Sequence, residues 1–300
     1  MTVFCYFGLF LCDAASIFTM QKYGKAARDR TGIFIYALVT GIIAMAVFWG
    51  TAGFSVTLNG RTALYSAIIA VLAICSYFTQ LPVYRYLGVA EIAVITSGGR
   101  LILSSVAGVL LFSEALNAIS ALRIVLMLVA VLLLFVEKKK PAHDRTGEPA
   151  KKVSATGLLL CLFIILIGTV NTVVSKYIAV DAGVTDSNSL FFFANVLITG
   201  FSILFLLCES RGHVGRCITE LCAVPPMQYL TILINTVASN ISSLLGVLIL
   251  AQGDITLYVP LSNALGLLAT EAVAALAVHE RPKILPVIFA MLSMLLGFFG

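Results

Sequence analysis

What most constrains this chain is a series of long apolar runs that recur from one end to the other. A helix needs about 20 mostly apolar residues to cross a bilayer core. Ten stretches approach or reach that length: 2–20, 32–54, 62–84, 90–112, 119–136, 156–178, 189–208, 227–250, 255–278 and 284–300. Between them lie short polar breaks such as Thr57-Leu58-Asn59-Gly60-Arg61 and His279-Glu280-Arg281-Pro282. Only 11% of the 300 residues are charged and mean hydropathy is +1.06, against about 25% charged in a soluble chain. That is too little polar surface to solvate a globule, so the solvent must be lipid. Nucleic-acid binding, a disulfide scaffold and a disordered hub are disfavoured on the same ground. The runs are also too long, and alternate too little, for a β-barrel. The reading is an all-α polytopic membrane protein of ten transmembrane helices. The first run has no basic leader and carries Asp13, so it reads as a retained helix rather than a signal peptide.

One break is long and strongly charged: the linker 138–155, with Lys138-Lys139-Lys140 and Lys151-Lys152. It divides the chain into five runs (1–137) and five runs (156–300). Of the 19 basic residues, fifteen fall in the linker or in the other loops of one face, including Lys22, Lys25, Arg85, Arg211 and Lys283. The opposite face has only Arg61, Arg123 and Lys176. The positive-inside rule therefore places the linker in the cytoplasm and both termini outside, in a bacterial plasma (inner) membrane. Cys5, Cys12, Cys75 and Cys161 are expected as small buried residues of the spans, and Cys208, Cys217 and Cys222 at or in a loop on the reducing side. None shows metal-ligand or disulfide spacing.

The two halves repeat one another. An offset of 166 lays Glu114 on Glu280, Leu101 on Leu267 and Ser104 on Thr270. An offset of 159 lays Val39-Thr40-Gly41 on Ile198-Thr199-Gly200, and one of 154 lays Lys22-Tyr23 on Lys176-Tyr177. Five is odd, so a second copy must insert upside down. Inverted repeats are the plan of secondary transporters, with a site expected near the midplane.

These features resemble the EamA-like family of the drug/metabolite transporter superfamily, over nearly the whole chain. The residues that carry the likeness are Phe112-Ser113-Glu114-Ala115-Leu116, its twin Val278-His279-Glu280-Arg281-Pro282, and Leu257-Tyr258-Val259-Pro260-Leu261. The resemblance implies two EamA-like five-helix repeats and a central cavity lined mainly by spans 1–4 and 6–9. Members of that family are commonly drawn with both termini in the cytoplasm; the basic residues here point the other way.

Three ionisable residues fall deep in the runs, where each costs about 2.5–3.5 kcal/mol at a helix centre: Asp13, Arg100 and Glu271. Arg100 has two readings. It binds an anionic group of a solute, or it forms a lasting ion pair with Glu271 or Asp13. Low dielectric penalises a charged carboxylate, which makes Asp13 and Glu271 the proton-coupling candidates, Asp13 first. Ser97 and Asn263 lie on polar stripes of the fourth and ninth runs, and Asn171, Asn235 and Tyr258 complete the candidate cavity. For the uncharged residues, cavity lining and helix-to-helix bonding are equally open.

The expected function is secondary transport of a small organic solute, an anionic metabolite by the bias of Arg100. Export of amphiphilic drugs or of amino acids is the alternative within the class. A non-transporting scaffold, or an intramembrane enzyme, is the alternative outside it. All three histidines lie in loops and no HExxH or nucleotide-binding loop occurs, so neither catalysis nor a cofactor is expected. The partners expected are the solute and the bilayer, with a homodimer left open.

Overall fold

A computed structural model describes residues 2–26, 30–87, 89–114, 118–138, 155–180, 186–252, 255–277 and 284–299. Among them there are eleven helices and no strands: α1 (Thr2–Ala26), α2 (Arg30–Thr51), α3 (Gly60–Tyr86), α4 (Val89–Phe112), α5 (Ala118–Lys138), α6 (Ala155–Val180), α7 (Ser187–Glu209), α8 (Val214–Cys222), α9 (Pro226–Gln252), α10 (Ile255–Ala277) and α11 (Ile284–Phe299). Seven of these (α1–α4, α6, α7 and α9) are long and apolar enough to cross a membrane. The chain is thus an all-α polytopic membrane protein. The core of the basic linker, 139–154, lies outside the described residues.

Lipid replaces water around such a fold, so burial inverts the usual pattern. Large apolar side chains stand on the outside, including Phe4, Leu110, Leu132, Leu159 and Leu204. Many hydroxyls and amides instead lie inside, among them Thr40, Ser66, Asn195, Thr236 and Thr270. In lipid each backbone polar group must be satisfied internally, and the helix starts show how. Asn59 opens α3 by accepting from the Thr62 N–H at 2.7 Å. Asp186 opens α7, its carboxylate accepting from the Asn188 and Ser189 N–H groups at 3.0 Å each. The start of α10 is capped from a distant segment: Glu114, just past the end of α4, accepts from the Ile255 N–H at 2.8 Å. Side-chain caps of this kind contribute about 0.5–2 kcal/mol.

The helices pack in a recognisable set of neighbours. α1 lies against α9 and α10, and α6 lies against α3 and α4. These two trios are joined by α2 crossing α7, by α4 against α10 and by α2 and α7 bridging to α9 and α3. α5 pairs with α11 to one side. The α2–α7 crossing is close because Gly41 has no side chain; a Cβ there would collide with the Thr199 hydroxyl.

Two apolar clusters lie at opposite ends of the bundle. At the end formed by the close of α1 and α3 and the start of α2 and α9, Tyr23, Ile33, Tyr36, Leu81 and Ile232 pack together. At the other end, Leu250, Ile255 and Val259 pack with Phe112 and Tyr258.

Several sequence expectations change. The loop after α7 holds a short helix, α8, which a nine-residue segment without a span-length apolar run does not announce. Cys217 on it is buried against α2 and α7 rather than sitting in an open loop, and its thiol donates to the Ser210 hydroxyl at 3.0 Å. Of the four cysteines expected inside, Cys161 is buried, Cys5 and Cys12 are half-buried, and Cys75 is exposed on α3. Arg123, counted as a face marker, is only 1% exposed within the α5 seam.

Candidate functional site

Between the two trios lies a cavity of about 400 Å³. Among the described residues that line it, two are charged, Asp13 and Arg100. They come from opposite trios, Asp13 from α1 and Arg100 from α4.

Asp13 sits halfway along α1 and is half-buried. One of its oxygens, Oδ1, accepts from the Ser242 hydroxyl of α9 at 3.0 Å, which fixes the carboxylate toward the cavity. Arg100 sits halfway along α4 and lies against Gly168 of α6. A Cβ on that glycine would meet Arg100 Nε at 2.8 Å and Cδ at 2.9 Å, so the guanidinium stem occupies space that only glycine leaves open. The Nε itself is buried and has no hydrogen-bond partner among the described residues. Tyr258 makes a matching approach, its hydroxyl 2.9 Å from where a Cβ on Gly246 of α9 would stand.

Much of the uncharged polar lining is satisfied within the protein. Ser243 donates to the Ser239 carbonyl at 2.9 Å, and Asn240 to the Thr236 carbonyl at 2.8 Å, each within α9. Asn235 is a junction of three helices. It accepts from the Tyr36 hydroxyl of α2 and donates to the Ser16 carbonyl at 2.9 Å and the Thr19 hydroxyl at 3.0 Å, both on α1. Such groups give the cavity a hydrogen-bonding surface at little cost. An unpaired buried charge is different: removing it from water costs several kcal/mol unless something compensates it.

Of the residues singled out in the sequence, Asp13, Arg100, Asn171, Asn235 and Tyr258 meet at this cavity. Ser97 and Asn263 do not line it. Asn263 is buried in the α4–α10 seam, where its amide donates to the Ser97 carbonyl at 3.2 Å. Of the two uses left open for these polar positions, helix-to-helix bonding is the one seen there. Glu271 lies on α10, but its side chain falls outside the described residues. Among the described residues no ion pair joins Arg100 to Asp13.

Sequence reasoning missed two features of the site. The glycines Gly168 and Gly246 carry no side chain to draw notice in the sequence; only the pairing of α4 with α6 and α9 with α10 shows what they admit. In the sequence Lys176 is only one of the basic residues of the less basic face. Its ammonium instead donates to the Leu250 carbonyl at 3.2 Å, near the end of α9.

No family model matches the chain, and no curated protein does. Solved structures do match. One of them, described only as the crystal structure of a protein, superposes with a TM-score of 0.67 over 99% of this chain and 97% of that one, at 14% identity. The whole chain therefore has the fold of a known structure, and the likeness at that identity concerns the fold alone.

Proposed function

We propose that the chain is a ten-span secondary carrier of a small organic solute, working by alternating access around the central cavity. In this reading residues 1–137 and 156–300 are inverted five-helix repeats of the EamA-like, drug/metabolite transporter type, joined by the linker 138–155. The membrane is a bacterial plasma membrane, with the linker in the cytoplasm and both termini outside. The reading needs no catalytic group and no cofactor.

The observation that carries it is the cavity itself: it lies between two helix trios, and its lining holds Asp13 and Arg100, whose buried Nε has no hydrogen-bond partner among the described residues. Helix packing supports the repeat. Exchanging α1 with α6, α2 with α7, α3 with α9, α4 with α10 and α5 with α11 turns each of the principal packings either into itself, as for α2–α7, α4–α10 and α5–α11, or into another of them. The Asn263–Ser97 hydrogen bond joins residues 166 apart, the same offset that aligns the two halves in sequence. Apolar clusters at both ends give each mouth a layer that can part and close. The carrier reading accounts for the buried charges, which a passive scaffold would have no reason to keep.

The test is accessibility. In a variant lacking the native cysteines, Ser239→Cys is labelled with impermeant maleimides applied from either side of oriented vesicles. A carrier gives labelling from both sides, never by an open pore, and a bound solute shifts the balance. Labelling from one side only, unmoved by any solute or by pH, overturns the proposal.

A further inference from the structure

We propose that α8 is an interfacial helix that holds the chain to anionic phospholipid. Its uncovered apolar edge lies among acyl chains, and Arg211 and Arg216 lie at the headgroup phosphates. This surface is outside the central cavity, and the proposal needs only the membrane-spanning fold. Its consequence for the nearer mouth of the cavity rests on the carrier reading.

The nine residues of α8 divide into two faces. At about 100° per residue, Cys217, Leu221, Val214, Ile218 and Cys222 fall within one arc of about 140°, and Gly215, Thr219, Arg216 and Glu220 fall in the remainder. The bundle covers only half of the apolar arc. Cys217 is buried and Leu221 packs beside it, against Phe34, Ile35 and Leu38 of α2 and Leu206 of α7. Val214 and Ile218 stay 57% and 55% exposed. Their level is set by Cys217, whose thiol also donates to the Leu206 carbonyl at 3.4 Å, in the last turn of α7. At that level α7 carries the exposed side chains Leu204 and Phe205. Phe205 stacks on Phe34 with ring centroids 5.1 Å apart, one ring from where Cys217 docks. The uncovered edge of α8 is therefore continuous with the lipid face of the bundle and is not lifted into water.

Charge gives the leaflet its chemistry. Among the described residues at this end, Lys22, Arg30, Arg85, Arg211 and Arg216 are exposed, against Glu209. Glu220 is half-buried and accepts from Arg216 Nε at 3.3 Å. An apolar edge at the acyl boundary beside a basic surface is the make-up of a helix that lies in the interface and favours anionic lipid. The same helix is tied to the mouth. Tyr229, in the first turn of α9, donates to the Leu221 carbonyl at 2.6 Å. Its ring packs on the cluster of Tyr23, Ile33, Tyr36, Leu81 and Ile232. α2 supplies Ile33 and Tyr36 to that cluster and Phe34 and Ile35 to the seat of α8. Lipid that holds α8 at the boundary thus also holds one side of the layer that must part when this mouth opens.

Fluorescence quenching tests the seat. The chain has a single tryptophan, Trp49, so in a Trp49→Phe background Ile218→Trp reports from the uncovered edge alone, and Val214→Trp repeats the measurement one turn away. The full chain is placed in bilayers holding phosphatidylglycerol or phosphatidylcholine brominated along the acyl chain, at equal mole fraction, with acrylamide as the aqueous quencher. Brominated lipid should quench both variants, and acrylamide should quench them weakly. Phosphatidylglycerol should associate several-fold more strongly than phosphatidylcholine, since each basic residue near the surface is worth about five-fold. High salt, and Arg211→Gln combined with Arg216→Gln, should each bring that ratio close to one. Strong quenching by acrylamide without quenching by lipid, as for an edge standing in water or covered by another protein, overturns the proposal. Equal quenching by the two lipids overturns it as well. At the mouth, maleimide labelling of Ser239→Cys from the α8 side should fall several-fold when phosphatidylglycerol replaces phosphatidylcholine, and recover in the double arginine variant. Labelling indifferent to the lipid overturns the link to the mouth. Quenching does not depend on transport, so a chain whose accessibility never switches fails the carrier reading and leaves the lipid seat standing.

Discussion

Replacing Asn235 by leucine separates a fold role from a binding role at one position. The side chain is 3% exposed and joins α9 to both α1 and α2. Leucine matches its size but can neither accept nor donate. Four groups lose a partner, the Ser16 hydroxyl at 3.1 Å among them, and not equally. The Ser16 carbonyl is within a helix, where a backbone N–H remains available to it. The Thr19 hydroxyl keeps its own donations to the Ala15 carbonyl at 2.7 Å and the Ser16 carbonyl at 3.1 Å. The Tyr36 hydroxyl, on a side chain only 1% exposed, loses its amide acceptor and keeps the Thr40 hydroxyl as its side-chain partner. Leaving a buried hydroxyl without its acceptor costs about 1–3 kcal/mol, while side-chain bonds between membrane helices average about 0.6 kcal/mol. The sum for Asn235→Leu is about 2 kcal/mol, most of it at Tyr36. Reversible unfolding in mixed micelles measures it. A double-mutant cycle with Tyr36→Phe should show coupling of about 1 kcal/mol, because that hydroxyl is then gone. Additive effects with no coupling would refute the account of Asn235 as a three-helix junction.

Other perturbations follow from the same geometry. Gly168→Ala places a methyl where Arg100 Nε now lies at 2.8 Å; the flexible arginine yields, so stability changes by less than about 1 kcal/mol while solute affinity falls several-fold in a binding assay. Asp13→Asn keeps an acceptor for Ser242 but removes the charge, so the pH dependence of vesicle flux should disappear; an unchanged profile means that Asp13 is not the group exchanging protons. Glu114→Ala removes the acceptor at the start of α10 and should cost about 1–2 kcal/mol in the same unfolding assay, with cavity labelling retained.

The course of the helices was largely legible in the sequence because lipid leaves a chain few choices. Each apolar run had to become one helix, and runs such as 90–112 and 255–278 fall within a residue of α4 and α10. The charges were legible for a related reason: Asp13 and Arg100 stood out because burial in lipid makes them costly. The uncharged site residues were not separable in this way. Asn171 and Asn263 are the same residue type at similar depth, yet one lines the cavity and the other stitches α10 to Ser97. That difference depends on which helix each faces, and periodicity within one helix does not record its neighbours. The same gap hid Gly168, whose role lies in the Arg100 stem, and Arg123, which looked like a loop-facing charge until α5 was packed. The helix α8 escaped for a third reason, since nine residues are too short to carry a span signal.

The central claim is that two helix trios move against each other around the cavity, and distances across the two mouths test it most directly. Spin labels at exposed Met227 and Tyr86 bridge the trios at one end of the bundle, and labels at exposed Phe4 and Val180 bridge them at the other. Pulsed-dipolar measurements in lipid nanodiscs should give two populations for each pair, shifting in opposite directions as pH or a bound solute changes. A single fixed distance at both ends, insensitive to either, would contradict the account.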